Sequence, residues 1–99
     1  MSAYVIYLAE ILDPDGYLAY KERVEPNILA AGGTYVIRGG DVDLLEGTLP
    51  AERTVILEFP SRHAALAWYR SDEYRDIKKL REGTARATVY IVVGVSEPR

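Results

Sequence analysis

Ninety-nine residues fit a single domain, residues 1–99, and leave no room for a second. With 48% hydrophobic residues, 27% charged residues and a net charge of −3, the composition is globular and carries no clustered basic face for a nucleic-acid backbone. The absence of cysteine excludes disulfides, thiolate metal sites and thiol catalysis, and it fits a reducing cytoplasm.

Ala3 to Glu10 (AYVIYLAE) is rich in β-branched and aromatic residues and predicts a strand. The opening MSAYVIYLAEILDPDG has no basic leader and turns charged at Glu10, so neither a signal peptide nor a membrane span is expected. Asp13-Pro14 starts a helix, with Asp as N-cap and Pro at the first helical position. Tyr17, Tyr20, Val24 and Ile28 fall on one face of it. Pro26 cannot donate to the Glu22 carbonyl and predicts a kink or a restart, and Gly32-Gly33 ends the helix. Thr34 to Arg38 is a second strand, which Val42 to Leu45 is expected to continue after Gly39-Gly40. Those glycines do not form a phosphate loop, because the G-x-x-x-x-G-K-S/T spacing and a following helix are missing; they predict a bulge in a β-ribbon. Thr54 to Phe59 is a third strand. Ser61 and Ser71 are expected to cap two short helices, the second carrying Tyr74, Ile77 and Leu80 on one face and ending near Gly83. Arg86 to Val95 is the last strand. The order is β-α-β-β-α-β with a broken second helical region, the pattern of a ferredoxin-like α+β domain with an antiparallel sheet and helices on one face.

The strands carry more apolar side chains than one helical layer covers. Parity assigns Ile6 and Leu8 to one face of the first strand, and Val5 and Tyr7 to the other. In the third strand Val55, Leu57 and Phe59 oppose Thr54, Ile56 and Glu58, and in the last Thr88, Tyr90 and Val92 oppose Val89, Ile91 and Val93. The second face is mixed, apolar and rich in tyrosine, and a contiguous patch of that kind marks an interaction surface. A second copy packed about a two-fold axis, giving a dimeric α+β barrel, is the expected cover.

The segments DPDGYLAY, GGTYVIRGG followed by LEG, VILEFPS, AWYRSDEYRDIKKLR and VYIVVGV occur in this order across nearly the whole chain. In that pattern the chain resembles a small bacterial family, domain-of-unknown-function family 1330, within the dimeric α+β barrel group. The resemblance implies a ferredoxin-like fold that dimerises through its sheets, and it brings no activity of its own. The wider group includes cofactor-free monooxygenases of aromatic polyketides, muconolactone isomerases and haem-dependent enzymes, whose activities would transfer only by fold analogy.

One histidine and no cysteine make no common zinc or haem site, and His63, in the first turn of a helix, reads as a solvated or capping side chain. No metal and no cofactor are expected. Neither Ser61 nor Ser71 lies in a nucleophile elbow. Glu58 interrupts VILEF on a central strand, where partial desolvation raises a carboxylate's pKa unless a cation is near. Arg38, on the neighbouring strand, has the parity to face it if no bulge intervenes, and Tyr7 and Tyr90 are counted onto the same face. An Arg, a Glu and two tyrosines around an apolar cleft suit a small aromatic or oxo-acid ligand, with Glu58 as base and Arg38 as anion partner. The competing reading is a structural Arg38–Glu58 pair that sets the dimer register. Trp68 is retained as a cleft-mouth residue, and Lys78, Lys79 and Arg81 are taken as a solvated helix face. Two functions follow from this: a cofactor-independent enzyme of monooxygenase or isomerase type, or a dimeric module without turnover that binds a small ligand or is purely structural. No membrane or nucleic-acid partner is expected.

Overall fold

The computed structural model of the chain describes residues 1–95. Four strands and three helices follow in the order β1 (Ala3–Ile11), α1 (Pro14–Ala30), β2 (Thr34–Arg38), β3 (Arg53–Phe59), α2 (Arg62–Tyr69), α3 (Asp72–Lys78) and β4 (Ala85–Val93), with a 3-10 turn at Lys79–Arg81. The strands form one antiparallel sheet in the order β2-β3-β1-β4, the ferredoxin-like arrangement.

Local chemistry places the helix starts where the sequence puts them. Asp13, Ser61 and Ser71 each accept a hydrogen bond from the backbone N–H three residues on, at 3.2, 3.0 and 3.1 Å. The Tyr17, Tyr20, Val24 and Ile28 face of α1 is buried. This helix runs unbroken through Pro26, contrary to the expected kink. Glu22 and Pro26 are both exposed, where water can serve the carbonyl that the proline leaves free.

Three sequence expectations are corrected by the sheet register. In β1 the buried residues are Ala3, Val5, Tyr7 and Ala9, so Ile6 and Leu8 face away from the helices. Residues opposite one another on antiparallel strands share a face, and Tyr7 lies opposite Val55 and Val89 on the helix-covered side. The β-bulge falls between Tyr35 and Ile37, ahead of the glycines, and sets Arg38 opposite Val55. Finally, Val42 to Leu45 is not a strand: the chain leaves the sheet after Arg38, and Gly39 turns it with a φ of 67°. A continuation would need residues 46–52 opposite it, and those hold Gly47 and Pro50 and lie outside any strand. Leu44 and Leu45 therefore stay exposed, the latter at 91%.

The core lies between the sheet and the helices. Phe59 is fully buried, with its ring stacked on Trp68 at 5.4 Å. Gly33 backs onto it so closely that a Cβ there would stand 2.7 Å from Phe59 Cζ. Among the described residues no helix is long and apolar enough to cross a membrane.

Candidate functional site

Beneath α1, on the helix-covered face of the sheet, a cavity of about 40 Å³ remains. Tyr17 and Tyr20 reach it from α1, Tyr7 from β1, Tyr35 from β2, Trp68 from α2 and Tyr74 from α3. The Tyr7 and Tyr17 hydroxyls hydrogen-bond at 2.9 Å, and those of Tyr20 and Tyr74 at 2.8 Å. A phenol has one proton to donate and also accepts, so each pair spends one O–H on itself and leaves the second free for another acceptor.

Tyr7 and Tyr20 are donors, not bases. Burial pushes the Tyr7 phenol well above its ordinary value, and the hydrogen bond with Tyr17 adds to the rise. Burial raises Tyr20 in the same way, followed by its interactions with Tyr74. Arg81 partly opposes both shifts. Its guanidinium carbon lies 5.5 Å from the Tyr7 ring centroid and 5.6 Å from that of Tyr20. Arg81 is thus half-buried against the tyrosines and not on a solvated face, because the 3-10 turn at the end of α3 swings it inward.

The structure divides the predicted site between the two faces of the sheet. Tyr7, Trp68 and Arg38 line the inner cavity. Trp68 is its floor and not its mouth: it is 4% exposed and donates from Nε1 to Asn27 Oδ1 at 2.8 Å. Arg38 pairs with Glu25 at 3.1 Å and lies 4.3 Å over the Tyr35 ring. Glu58 sits on the opposite face, across from Tyr4 and Thr34. Tyr90 is on that face too, across from Ile6. The expected meeting of Arg38 and Glu58 does not occur, because the bulge re-aims Arg38 and Tyr7 has the other parity.

Sequence reasoning placed Tyr17, Tyr20 and Tyr74 only on helix faces and did not single out Arg53. The available signal was the count of eight tyrosines against one Phe and one Trp. In the Arg38-Gly39-Gly40 stretch Gly39 acquires a purpose through Arg53, whose guanidinium occupies the space a Gly39 Cβ would take, whereas a Cβ at Gly40 would meet nothing. The positive φ at Gly39 independently favours glycine there.

Residues 2–95 match the family described as a domain of unknown function, DUF1330. No curated protein sequence matches the chain. It is similar in structure to a protein of unknown function from Rhodopseudomonas palustris, with a TM-score of 0.75 at 20% identity over 97% of this chain and 84% of that one. It is also similar to a provisionally assigned antibiotic biosynthesis monooxygenase from Nitrosomonas europaea, with a TM-score of 0.56 at 16% identity over 95% of this chain and 91% of that one. A protein from Bacteroides thetaiotaomicron suggested to be an oxidoreductase gives a TM-score of 0.59 at 8% identity, covering 94% and 97% of the two chains. Identities this low establish a common α+β fold and nothing finer.

Proposed function

The chain belongs to the DUF1330 family, and on that footing we propose that it is a small-molecule enzyme working in the inner cleft, without a bound cofactor, on a compact aromatic or oxo-acid metabolite. The observation that carries this reading is the convergence of two hydrogen-bonded phenol pairs on a partly open, largely apolar cavity. The unspent O–H of the Tyr7–Tyr17 pair is a preorganised donor for an enolate or phenolate oxygen, and such donors are strongest where water is excluded. In the isomerase form of the reaction solvent water at the cleft takes the proton from one carbon, the unspent O–H bonds the enolate oxygen so formed, and the hydronium returns a proton at a second carbon. In the oxygenase form dioxygen is the co-reactant: one oxygen atom turns a CH2 into C=O and the other leaves as water. The neighbours named as monooxygenase and oxidoreductase favour the second form by analogy of fold.

The lining, phenols and cations with no carboxylate or imidazole, equally suits capture without turnover. The Tyr7→Phe/Tyr17→Phe double variant separates the two, because a single change would only free the partner's O–H. The enzyme reading expects a loss of about 10²-fold in turnover with the fold intact, since no donor of the pair remains. Dioxygen uptake and proton exchange at acidic C–H groups, followed by NMR on a panel of short oxo-acids and phenols, provide the assay. Saturable binding with neither uptake nor exchange would leave a binding module.

The outer face is proposed to be covered by a second copy of the chain. Tyr90, Val92 and Ile37 lie 46%, 47% and 41% exposed there, beside Ile6 and Ile56. In that arrangement Glu58 sits at the interface and sets register, so its role is structural and not that of a base. Native mass spectrometry of the untagged protein is expected to give a dimer, and Ile56→Lys a monomer that still folds. A wild-type protein found only at the monomer mass overturns the dimer.

A further inference from the structure

The inner cavity has a threshold. Beyond it lies an outer recess of about 230 Å³ walled by Ile11 and Pro14, and Tyr17, Lys21 and Arg53 line both spaces. A molecule passing from one to the other meets two cations and a phenol.

Arg53 is held at this threshold with bonding capacity to spare. Its Nε is buried and has no hydrogen-bond partner. Among the described residues neither Arg53 nor Lys21 takes part in an ion pair, whereas Arg38 is occupied by Glu25. The adjacent carboxylate, Glu52, is spent on the Ile11 N–H at 2.6 Å. A buried donor on a cation costs free energy unless an anion takes it up, and a guanidinium matches a carboxylate in two parallel hydrogen bonds. Gly39 completes the seat, since any side chain there would drive the guanidinium out.

The geometry points to a carboxylate filter. Building on the proposed cleft function, Arg53 and Lys21 hold the ligand's carboxylate at the threshold, and its apolar end points inward toward Trp68. The anion partner is then Arg53 with Lys21, not Arg38. Size narrows the class further. The cavity of about 40 Å³ is well below the ~150 Å³ that accommodates benzene, so an aromatic ring does not enter without rearrangement and the apolar end that enters must be short.

Trp68 is the sole tryptophan and lines the cavity, so its fluorescence reports occupancy directly. Isobutyrate and isobutyramide have the same shape and differ in charge; benzoate and benzamide form a second, larger pair. Isobutyrate is expected to change the Trp68 emission saturably and to bind at least tenfold more tightly than isobutyramide. Arg53→Gln removes that preference, Lys21→Gln weakens it, and Gly39→Ala weakens it too by displacing Arg53 without removing its charge. Lys79→Gln, on an exposed pair with Asp76, leaves it unchanged. Thermal melts identify any variant that fails to fold, and the preference is then judged on the remaining ones. Amide binding as tight as carboxylate binding overturns the filter and leaves the cleft standing, as does a preference that survives Arg53→Gln. If neither member of either pair alters the emission, the cleft itself is not a small-molecule site. Benzoate binding more tightly than isobutyrate overturns the size argument alone.

Discussion

Above pH 10 the domain is expected to lose stability steeply, because two of its phenols cannot ionise in place. Tyr7 and Tyr20 are 6% and 5% exposed, and burial, the larger cause in both, holds each pKa above the ordinary tyrosine value near 10. Below that value both states keep the proton and the stabilisation is whole. Above it the unfolded chain releases protons that the folded chain retains, so each phenol removes about 1.4 kcal/mol per pH unit. Two phenols remove about 5 kcal/mol over two units, which rivals the 5–15 kcal/mol typical of a whole domain. Chemical denaturation at stepped alkaline pH, followed by circular dichroism and tyrosinate absorbance, measures the slope. The Tyr7→Phe/Tyr20→Phe double variant should flatten it. A wild-type stability that stays level to about pH 12 would mean that the phenols are hydrated, and the cleft would lose its dry lining.

Phe59→Ala is expected to cost about 3–5 kcal/mol, the upper range for a single core truncation. The ring is fully buried, stacks on Trp68 and closes over Gly33, whose missing side chain makes the contact possible. Neither the Gly33 backbone nor the sheet can follow the lost ring inward, so a void remains and Trp68 loses its support. For a domain of this size each kcal/mol lowers Tm by roughly 4–8 °C, which makes the loss tens of degrees. Calorimetry checks the stability, and a red shift of Trp68 emission checks the loosened floor. A cost below about 1 kcal/mol would show that the neighbourhood collapses freely, contrary to the packing described.

The elements that were legible in the sequence depend on short-range chemistry. The caps at Asp13, Ser61 and Ser71 need only the next few residues, and the buried face of α1 follows from three- and four-residue spacing. Parity was legible where one face is polar: Glu58 beside Leu57 and Phe59 is an outward residue by simple alternation. In β1 both faces are apolar, so Val5 and Tyr7 cannot be told from Ile6 and Leu8 until pairing with β3 and β4 decides. The bulge at Val36 lies in an unbroken apolar run, Tyr35-Val36-Ile37, and nothing in that run marks one residue as supernumerary. The site was therefore half legible. Its tyrosines stand out in the composition as an excess, while the threshold formed by Lys21 and Arg53 arises from residues more than thirty positions apart that only the folded chain brings together.

Strand β2 spends five residues on four sheet positions, and the spare one is Val36. Arg38 reaches the cleft side only because that surplus is absorbed before it. In such a strand, length is as heritable a determinant as residue identity. A descendant that gained or lost one residue here could either vary the bulge and keep its chemistry, or move the arginine to the other face with every side chain conserved. Column-by-column comparison of relatives would record the second event as a harmless gap. In this fold, a change of specificity can therefore be carried by an insertion or deletion that alters no chemical group at all.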